Sequence, residues 1–170
     1  MSWSGTNTAM FRTWPLAVTG QGQTAAVLPA AYAGLGADTV DVALYNNTGT
    51  PDKDATLATS AYNAGQWVTA NEVADGTNWH AGGEPLTAKT LTNPSTGVMM
   101  FDAADTPQAG ATTTLANVYG CLVYDATITA GTGGVAKEGV SFHDFGGVQS
   151  VTAGTFSIVW HSNGLWRISV

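Results

Sequence analysis

Side chains able to do chemistry are sparse in this sequence, which has three histidines, one cysteine and 12 acidic residues among 170. His143 and Asp144 are adjacent, so on a strand they point to opposite faces and cannot easily share one metal ion. His161, Asp144 and Ser162 can be combined into a catalytic triad on paper, but any sequence of this size offers such triples. The GxSxG, HExxH and phosphate-loop motifs are missing. We therefore predict neither a catalytic site nor a metal site.

Three further groupings are typical of turns or core rather than of sites. Asp52 and Asp54 in PDKD resemble the start of a calcium loop, but the spaced Asp/Asn set and the terminal Glu are missing. We expect a solvated turn that caps a helix. The glycines within 131–134 indicate a hairpin turn rather than a nucleotide cradle. Cys121 lies in an apolar strand and is predicted to be an inert core residue. No cofactor is expected.

The composition favours a folded β protein with an unusual surface. Only 10% of the residues are charged, against about 25% in ordinary globular domains. Hydrophobic residues make up 44% of the chain, which is too many for disorder. The 25 Thr and 21 Gly residues fit strands and tight turns. Interface cores are depleted of charge, so this surface suits a chain covered by neighbours, although a secreted or thermolabile β-domain shares the composition.

Charge and hydropathy also exclude several classes of partner. The net charge is −7 with five basic residues, whereas binding to nucleic acid needs clustered Lys and Arg. No run of 18 apolar residues predicts a membrane span. The N-terminal residues lack the basic and then apolar pattern of a signal peptide. One cysteine excludes an intrachain disulfide and is consistent with folding in a reducing cytoplasm.

Period-2 alternation of apolar and polar residues predicts most of the strands. The stretch at 116–128 is apolar on both faces, which indicates a buried central strand, and Gly120 within it indicates a bulge. One short helix is expected in DATLATSAYNA, with Asp52 or Asp54 as its cap. Residues 74–86 are predicted to form a long loop. The other predicted strands are VDVALY at 40–45, WVTANEV, and the stretches at 86–92, 97–103 and 135–145.

The end of the chain predicts a hairpin. TFSIVW and LWRISV flank Asn163 and Gly164, and Asn-Gly between strands is typical of a two-residue type I′ turn. In that register Trp160 lies opposite Arg167, and opposed residues share a face of the sheet, so the ring would stack on the guanidinium group. Both faces of the hairpin would be largely apolar. We therefore expect one face on the core and the other under a second sheet or another subunit.

The fold class predicted from these patterns is all-β: a β-sandwich or jelly-roll-like antiparallel domain at 37–170, with at most one short helix. Residues 1–36 differ in composition and are interpreted as an extended N-terminal arm. The arm either anchors its aromatic residues on a neighbouring subunit or forms a strand and loop on its own domain. The candidate partner-interface residues are Trp3, Phe11, Trp14, Trp160 and Arg167.

Seven segments between residues 40 and 170 form a set: VALYNNTGTPDKDA, AYNAGQWVTANEV, GTNWHAGGEPLTAKTL, GVMMFDAADT, GCLVYDATI, HDFGGVQSVTAGTF and IVWHSNGLWRISV. Together they resemble a family of small structural proteins of tailed bacteriophages. The resemblance implies a minor virion protein encoded near the major capsid protein. Its expected role is that of a capsid decoration or cement protein on the capsid exterior, assembled in the host cytoplasm.

The resemblance also implies the partners. The expected partner is the major capsid protein, and lattice geometry suggests a homo-oligomer, taken as a trimer. A head–tail connector or tail component of the same virion is one alternative. A carbohydrate-binding β-sandwich module is another, in which Trp67, Trp79 or Trp160 would form an exposed platform. Neither an enzyme nor a nucleic-acid or membrane partner is expected.

Overall fold

The computed structural model describes residues 9–11, 34–106, 112–129 and 135–169. These residues form nine strands in two antiparallel sheets, with one four-residue α-helix and one 3₁₀ turn. The all-β prediction is therefore confirmed, as is the single short α-helix within the described ranges. The elements are β1 (Ala9–Met10), β2 (Val40–Tyr45), α1 (Leu57–Ser60), the 3₁₀ turn Thr69–Asn71, β3 (Glu72–Val73), β4 (Glu84–Pro85), β5 (Thr90–Ser95), β6 (Val98–Asp102), β7 (Thr113–Asp125), β8 (Glu138–Gly154) and β9 (Trp166–Ser169).

The large sheet has the strand order β1-β8-β7-β2-β3, and β4 also pairs with β2. Strands β2 and β7 lie at its centre and pair without interruption from Val40 opposite Asp125 to Tyr45 opposite Gly120. Nearly every side chain in this paired stretch is buried. The predictions of a strand at 40–45 and of a buried central strand are confirmed. The pairing of β7 with β8 shifts register before Gly120, as its glycine predicts.

One face of the large sheet is covered by the segment around α1. Trp67 packs edge-on against Tyr45, with ring centroids 5.1 Å apart, and contacts Phe142 at 5.9 Å. Phe11 completes this aromatic cluster at 6.0 Å from Trp67. Gly139 faces the same segment, where a β-carbon would collide with backbone and with the Phe11 ring. Glycine is required there because the helix segment lies directly on the sheet.

The start of α1 differs from the prediction. The helix is preceded by Thr56, and neither Asp52 nor Asp54 caps it. The Asp52 carboxylate instead accepts the backbone N–H of Asp54 at 2.8 Å, which makes a local turn. The expected turn is confirmed, and the expected cap is wrong. The strand predicted in WVTANEV is reduced to β3, because the 3₁₀ turn occupies the three residues before it.

The small sheet has the order β5-β6-β9. Phe101 on β6 and Trp166 on β9 are directly opposed and buried, and their rings lie 5.7 Å apart. All six residues of β5 are exposed, including Leu91 at 51%. The inner part of this sheet therefore belongs to the core, and β5 extends beyond it.

The predicted turn at the end of the chain is wrong. The backbone N–H of Gly164 donates to the carbonyl of His161 at 2.7 Å, so the turn centres on Ser162 and Asn163. Gly164 has a φ of 76°, whereas Asn163 keeps a negative φ. A type I′ turn needs positive φ at both central residues. Gly164 instead occupies the last position of the turn, where glycine is also favoured.

The strand pairing predicted for this turn is also wrong. Strand β9 pairs with β6, with Arg167 opposite Met100. The preceding segment is not a regular strand, and its Ile158 forms an isolated bridge with Thr106. Trp160 and Arg167 are therefore not opposed. Pairing with distant strands has replaced the local hairpin.

Candidate protein interface

Of the three predicted interface residues of the N-terminal segment, only Phe11 lies within the described residues. Trp3 and Trp14 lie outside the described residues. Phe11 is fully buried, with its ring 5.4 Å from Phe142 and 6.0 Å from Trp67. This corrects the prediction that Phe11 contacts a neighbouring subunit, because the residue completes the core of its own chain. Residues 9–11 follow the alternative in which this part of the segment folds onto its own domain.

Trp160 is half-buried and held at three points. Its backbone N–H donates to a carboxylate oxygen of Asp105 at 3.0 Å, and its indole N–H donates to the hydroxyl of Thr106 at 2.8 Å. Its ring meets His143 edge-on at 5.2 Å. Arg167 is exposed and donates to the side-chain oxygen of Asn163 at 3.2 Å. The predicted stacking of the two residues is therefore wrong, and Trp160 is a fixed side chain at the edge of the core.

Beside Trp160, strand β8 contains a wide bulge. Val118 and Gly120 of β7 pair with Gln149 and Asp144 of β8, which leaves the four residues 145–148 opposite a single β7 residue. Bulges bend a strand and redirect its side chains. This one pushes part of β8 out of the pleated sheet towards the surface.

Two glycines make the bulge possible. Gly146 has a φ of 74° and Gly147 a φ of 149°, conformations that side-chain-bearing residues rarely adopt. The backbone N–H of Gly146 donates to the carboxylate of Asp144 at 2.8 Å, which fixes the turn. Val148, which follows Gly147, is 51% exposed. The bulge therefore ends in an aliphatic side chain that is exposed.

A concavity of about 360 Å³ lies between the bulge and the segment that follows β8. The Phe156 ring lies 6.4 Å from Phe145 and packs edge-on against Trp79 at 5.6 Å. Val159 is 75% exposed, the highest value among the large hydrophobic side chains of the described residues. We name this surface the bulge patch; it is lined by Phe145, Gln149, Phe156, Ser157, Ile158 and Val159.

The bulge patch carries no charge. No Asp, Glu, Lys or Arg occurs between Asp144 and Arg167. Aromatic rings held in place, an exposed aliphatic chain and two uncharged polar side chains form the lining. Such a surface costs little to desolvate and matches the core of a protein–protein interface. Its chemistry is that of contact with another apolar surface.

The half-buried His143, whose ring meets that of Trp160, is hydrogen-bonded within the protein. The imidazole Nε2 of His143 lies 3.1 Å from the hydroxyl of Ser141, but Ser141 is fully buried. Burial lowers the pKa of His143 to about 4. Burial also raises the pKa of the Cys121 thiol, whose residue has no exposed surface. The prediction that Cys121 is a buried core residue is confirmed.

A polar cluster at the edge of the large sheet joins three loops. Glu72 accepts hydrogen bonds from the hydroxyl of Tyr62 at 2.8 Å and from the backbone N–H of Gly82 at 2.7 Å. The rings of Tyr62 and Tyr124 stack at 4.8 Å, and the ammonium of Lys137 lies 4.7 Å from the Tyr62 centroid. Burial raises the pKa of Glu72. These groups form hydrogen bonds and ring contacts with one another, so the cluster holds the loops in place.

Two carboxylates are buried together where β2 begins and β7 ends. Asp125 is 1% exposed and Asp38 is 4% exposed. Burial and the neighbouring Asp38 raise the pKa of Asp125 to about 7. Within the described ranges no three His, Cys, Asp or Glu side chains are grouped so as to hold a metal ion. The helices described there are also too short to cross a membrane.

The sugar platform of the carbohydrate-binding alternative is not formed as expected. Trp67 and Trp79 are each 1% exposed. The indole N–H of Trp79 donates to the backbone carbonyl of Phe156 at 3.2 Å, beneath the bulge patch. Two of the three rings in that hypothesis are therefore core residues, and Trp160 is half-buried.

Sequence reasoning identified Trp160 beside the patch but missed the patch itself. The available signal was the glycine pair Gly146 and Gly147 inside a strand pattern, which predicts a bulge. The exposure of Val159 had no such signal, because the Ile158 bridge to Thr106 that displaces this segment joins residues far apart in sequence.

Comparisons with protein-family models, curated proteins and solved structures found no match to this chain. Functional inference therefore depends on the residues themselves. Among the described surfaces, the bulge patch combines fixed aromatic rings, one exposed aliphatic side chain and a lining without charge.

Proposed function

We propose that this chain is a non-catalytic structural protein of a tailed-bacteriophage virion, which binds the capsid exterior as a decoration protein through its bulge patch. The observation that carries the proposal is the uncharged concavity beside the β8 bulge, with two aromatic rings in its lining and Val159 exposed beside them. Exposed apolar surface of this kind marks interaction sites.

The physical role follows from mass action. A protein that binds the assembled shell, but not its separated subunits, stabilises the shell by the free energy of that binding. A lattice repeats the contact many times, so a modest interface at each position is sufficient. The chain needs no catalytic step for this role, and its low charge reduces the cost of desolvating the contact surface.

The major capsid protein is the proposed partner, because the segments between residues 40 and 170 resemble small structural proteins of tailed phages. A connector or tail position in the same virion is the alternative, and the same patch would serve there. Labelling the protein and locating it on particles by electron microscopy distinguishes the shell from the tail.

The proposal is tested by mixing purified protein with undecorated shells and measuring co-sedimentation and the temperature of shell disruption. We compare the wild type with Val159→Asp and with the matched control Leu91→Asp. Both side chains are largely exposed, at 75% and 51%, but Leu91 lies on β5 of the small sheet.

Val159→Asp is expected to weaken binding by at least about tenfold, because it buries an unpaired carboxylate in the contact. Leu91→Asp should bind within about twofold of the wild type. The proposal is wrong if wild-type protein neither sediments with shells nor raises their disruption temperature. If Val159→Asp binds shells as strongly as the wild type, the bulge patch is not part of the contact.

A further inference from the structure

The two edges of the small sheet are built differently. On the β5 edge, Pro94 has no N–H to donate, and the pairing with β6 shifts register between Thr92 and Ser95. Proline and irregular pairing both protect an edge strand from adding another strand. Strand β9 contains neither feature, and it pairs with β6 without interruption from Trp166 to Ser169. Among the described residues, β9 is therefore the edge strand of the small sheet without a proline and without a break in its pairing.

An apolar face extends to the β9 edge. Ile168 on β9 lies opposite Met99 on β6, next to the buried pair of Trp166 and Phe101. Both Ile168 and Met99 are half-buried. They line a concavity of about 630 Å³ whose lining carries no charged residue: Asn93, Ser95, Thr96, Gly97, Val98, Met99 and Ile168.

We propose that a second copy of this chain adds its own β9 antiparallel to β9, across a twofold axis, which extends the three-stranded sheet to six strands. The chain has a net charge of −7, so two copies repel one another across most surfaces. Strand β9 and the concavity beside it contain no carboxylate. A twofold contact also requires a surface that complements itself, and β9 meets this requirement in one register.

The register follows from the side chains. Opposed residues of an antiparallel pair share a face, so the apolar face continues only if the axis passes beside a residue and not between two residues. An axis near the middle of β9, which pairs the longest part of the strand, passes beside Arg167 or beside Ile168. An axis at Arg167 places two guanidinium groups opposite each other, which is unfavourable. An axis at Ile168 places the two Ile168 side chains together and each Arg167 opposite Ser169. The second arrangement is the one that the sequence favours.

This contact gives a dimer in place of the trimer expected from lattice geometry. It uses none of the bulge-patch residues, so it does not depend on the virion role proposed above. Shell binding without dimerisation, or dimerisation without shell binding, would separate the two proposals.

The first experiment measures the mass of the full-length protein by sedimentation, where the wild type should give twice 17.4 kDa. The second is mild oxidation of Ile168→Cys. Opposed residues of an antiparallel pair have Cα atoms about 4.5–5.5 Å apart, within the range of about 4.4–6.8 Å that a disulfide spans. Ser169→Cys and Leu91→Cys are the controls, and the wild type controls for the buried Cys121.

We expect Ile168→Cys to form at least about ten times more disulfide-linked dimer than either control variant. A wild type that sediments as a monomer or a trimer would overturn the proposal, as would equal cross-linking of the three variants. A third measurement uses Ile168→Asp, which should weaken dimerisation by at least about tenfold while Leu91→Asp leaves it unchanged. If Ile168→Asp does not fold, the mass and cross-linking results decide the question.

Discussion

The two sheets of this protein divide burial unequally. In the large sheet, the paired stretches of β2 and β7 are covered on both faces. In the small sheet, Phe101 and Trp166 are buried, whereas all of β5 is exposed. The difference indicates that the large sheet supplies most of the stability of the fold, and that β5 of the small sheet can change with little effect on folding.

The largest expected effect tests this division directly. Trp67→Ala removes the ring that packs on Tyr45, Phe11 and Phe142 above the large sheet. We expect a loss of about 3–5 kcal/mol in the free energy of unfolding, as for other large aromatic residues in cores. Leu91→Ala on β5 should cost less than about 1 kcal/mol. Urea denaturation of both variants measures the difference, and equal losses would refute the division.

A smaller effect is expected from two glycines with similar backbone angles. Gly83 has a φ of 84°, and a β-carbon there would collide with the backbone of Val42 on β2. Gly146 in the β8 bulge has a φ of 74° with open space around it. Gly83→Ala should cost about 2–4 kcal/mol from strain and collision, and Gly146→Ala about 1 kcal/mol from strain alone. Thermal unfolding of the two variants measures which substitution destabilises the protein more. A larger loss of stability for Gly146→Ala than for Gly83→Ala would contradict the prediction.

The smallest effect concerns pH and two groups on the large sheet. The pKa of Asp125 is raised to about 7, against about 3.9 in the unfolded chain. Its contribution to stability is therefore full below about pH 4 and is lost as the pH rises to 7. The pKa of His143 is lowered to about 4, against about 6.5. Its contribution is full above about pH 6.5 and is lost as the pH falls to 4.

These opposing slopes should leave the unfolding free energy of the wild type nearly constant between pH 5 and 7. Asp125→Asn removes the pH dependence that is due to Asp125. The free energy of unfolding of that variant should therefore fall by about 1–2 kcal/mol from pH 7 to pH 5. His143→Gln should change in the opposite direction by a similar amount. Denaturant titrations at the two pH values measure both changes. Parallel pH profiles for the wild type and both variants would show that these groups titrate normally.

Local pattern was sufficient to predict the centre of the large sheet. The alternation in 40–45 and the apolar stretch around Cys121 gave the right strands, because burial on both faces leaves a strong compositional signal. Gly120 gave the correct position of a register shift. The chain end was mispredicted, because Asn163 and Gly164 fit two kinds of turn, and pairing of β9 with the distant β6 decided between them.

The candidate interface was less predictable than the fold. The hairpin pattern predicts Trp160 as an interface residue, but that hairpin does not form. Hydrogen bonds to Asp105 and Thr106 hold Trp160 beside the patch instead. The sequence predicts Phe11 as a contact with a neighbouring subunit, because an isolated aromatic residue in a Gly-rich segment shows no periodicity that would indicate burial. Its burial depends on Gly139, which is distant in sequence, and no local pattern encodes that contact.

The position of Phe11 also has a consequence for biosynthesis. Strand β1 pairs Ala9 with Phe142, so two segments that are far apart in the sequence dock on each other. Contacts between such distant parts of a chain form slowly. We expect this docking only after residue 142 has been synthesised, and until then Trp67 lacks its Phe142 neighbour. Nascent chains stalled before residue 142 should therefore be degraded by proteases that leave the finished protein intact.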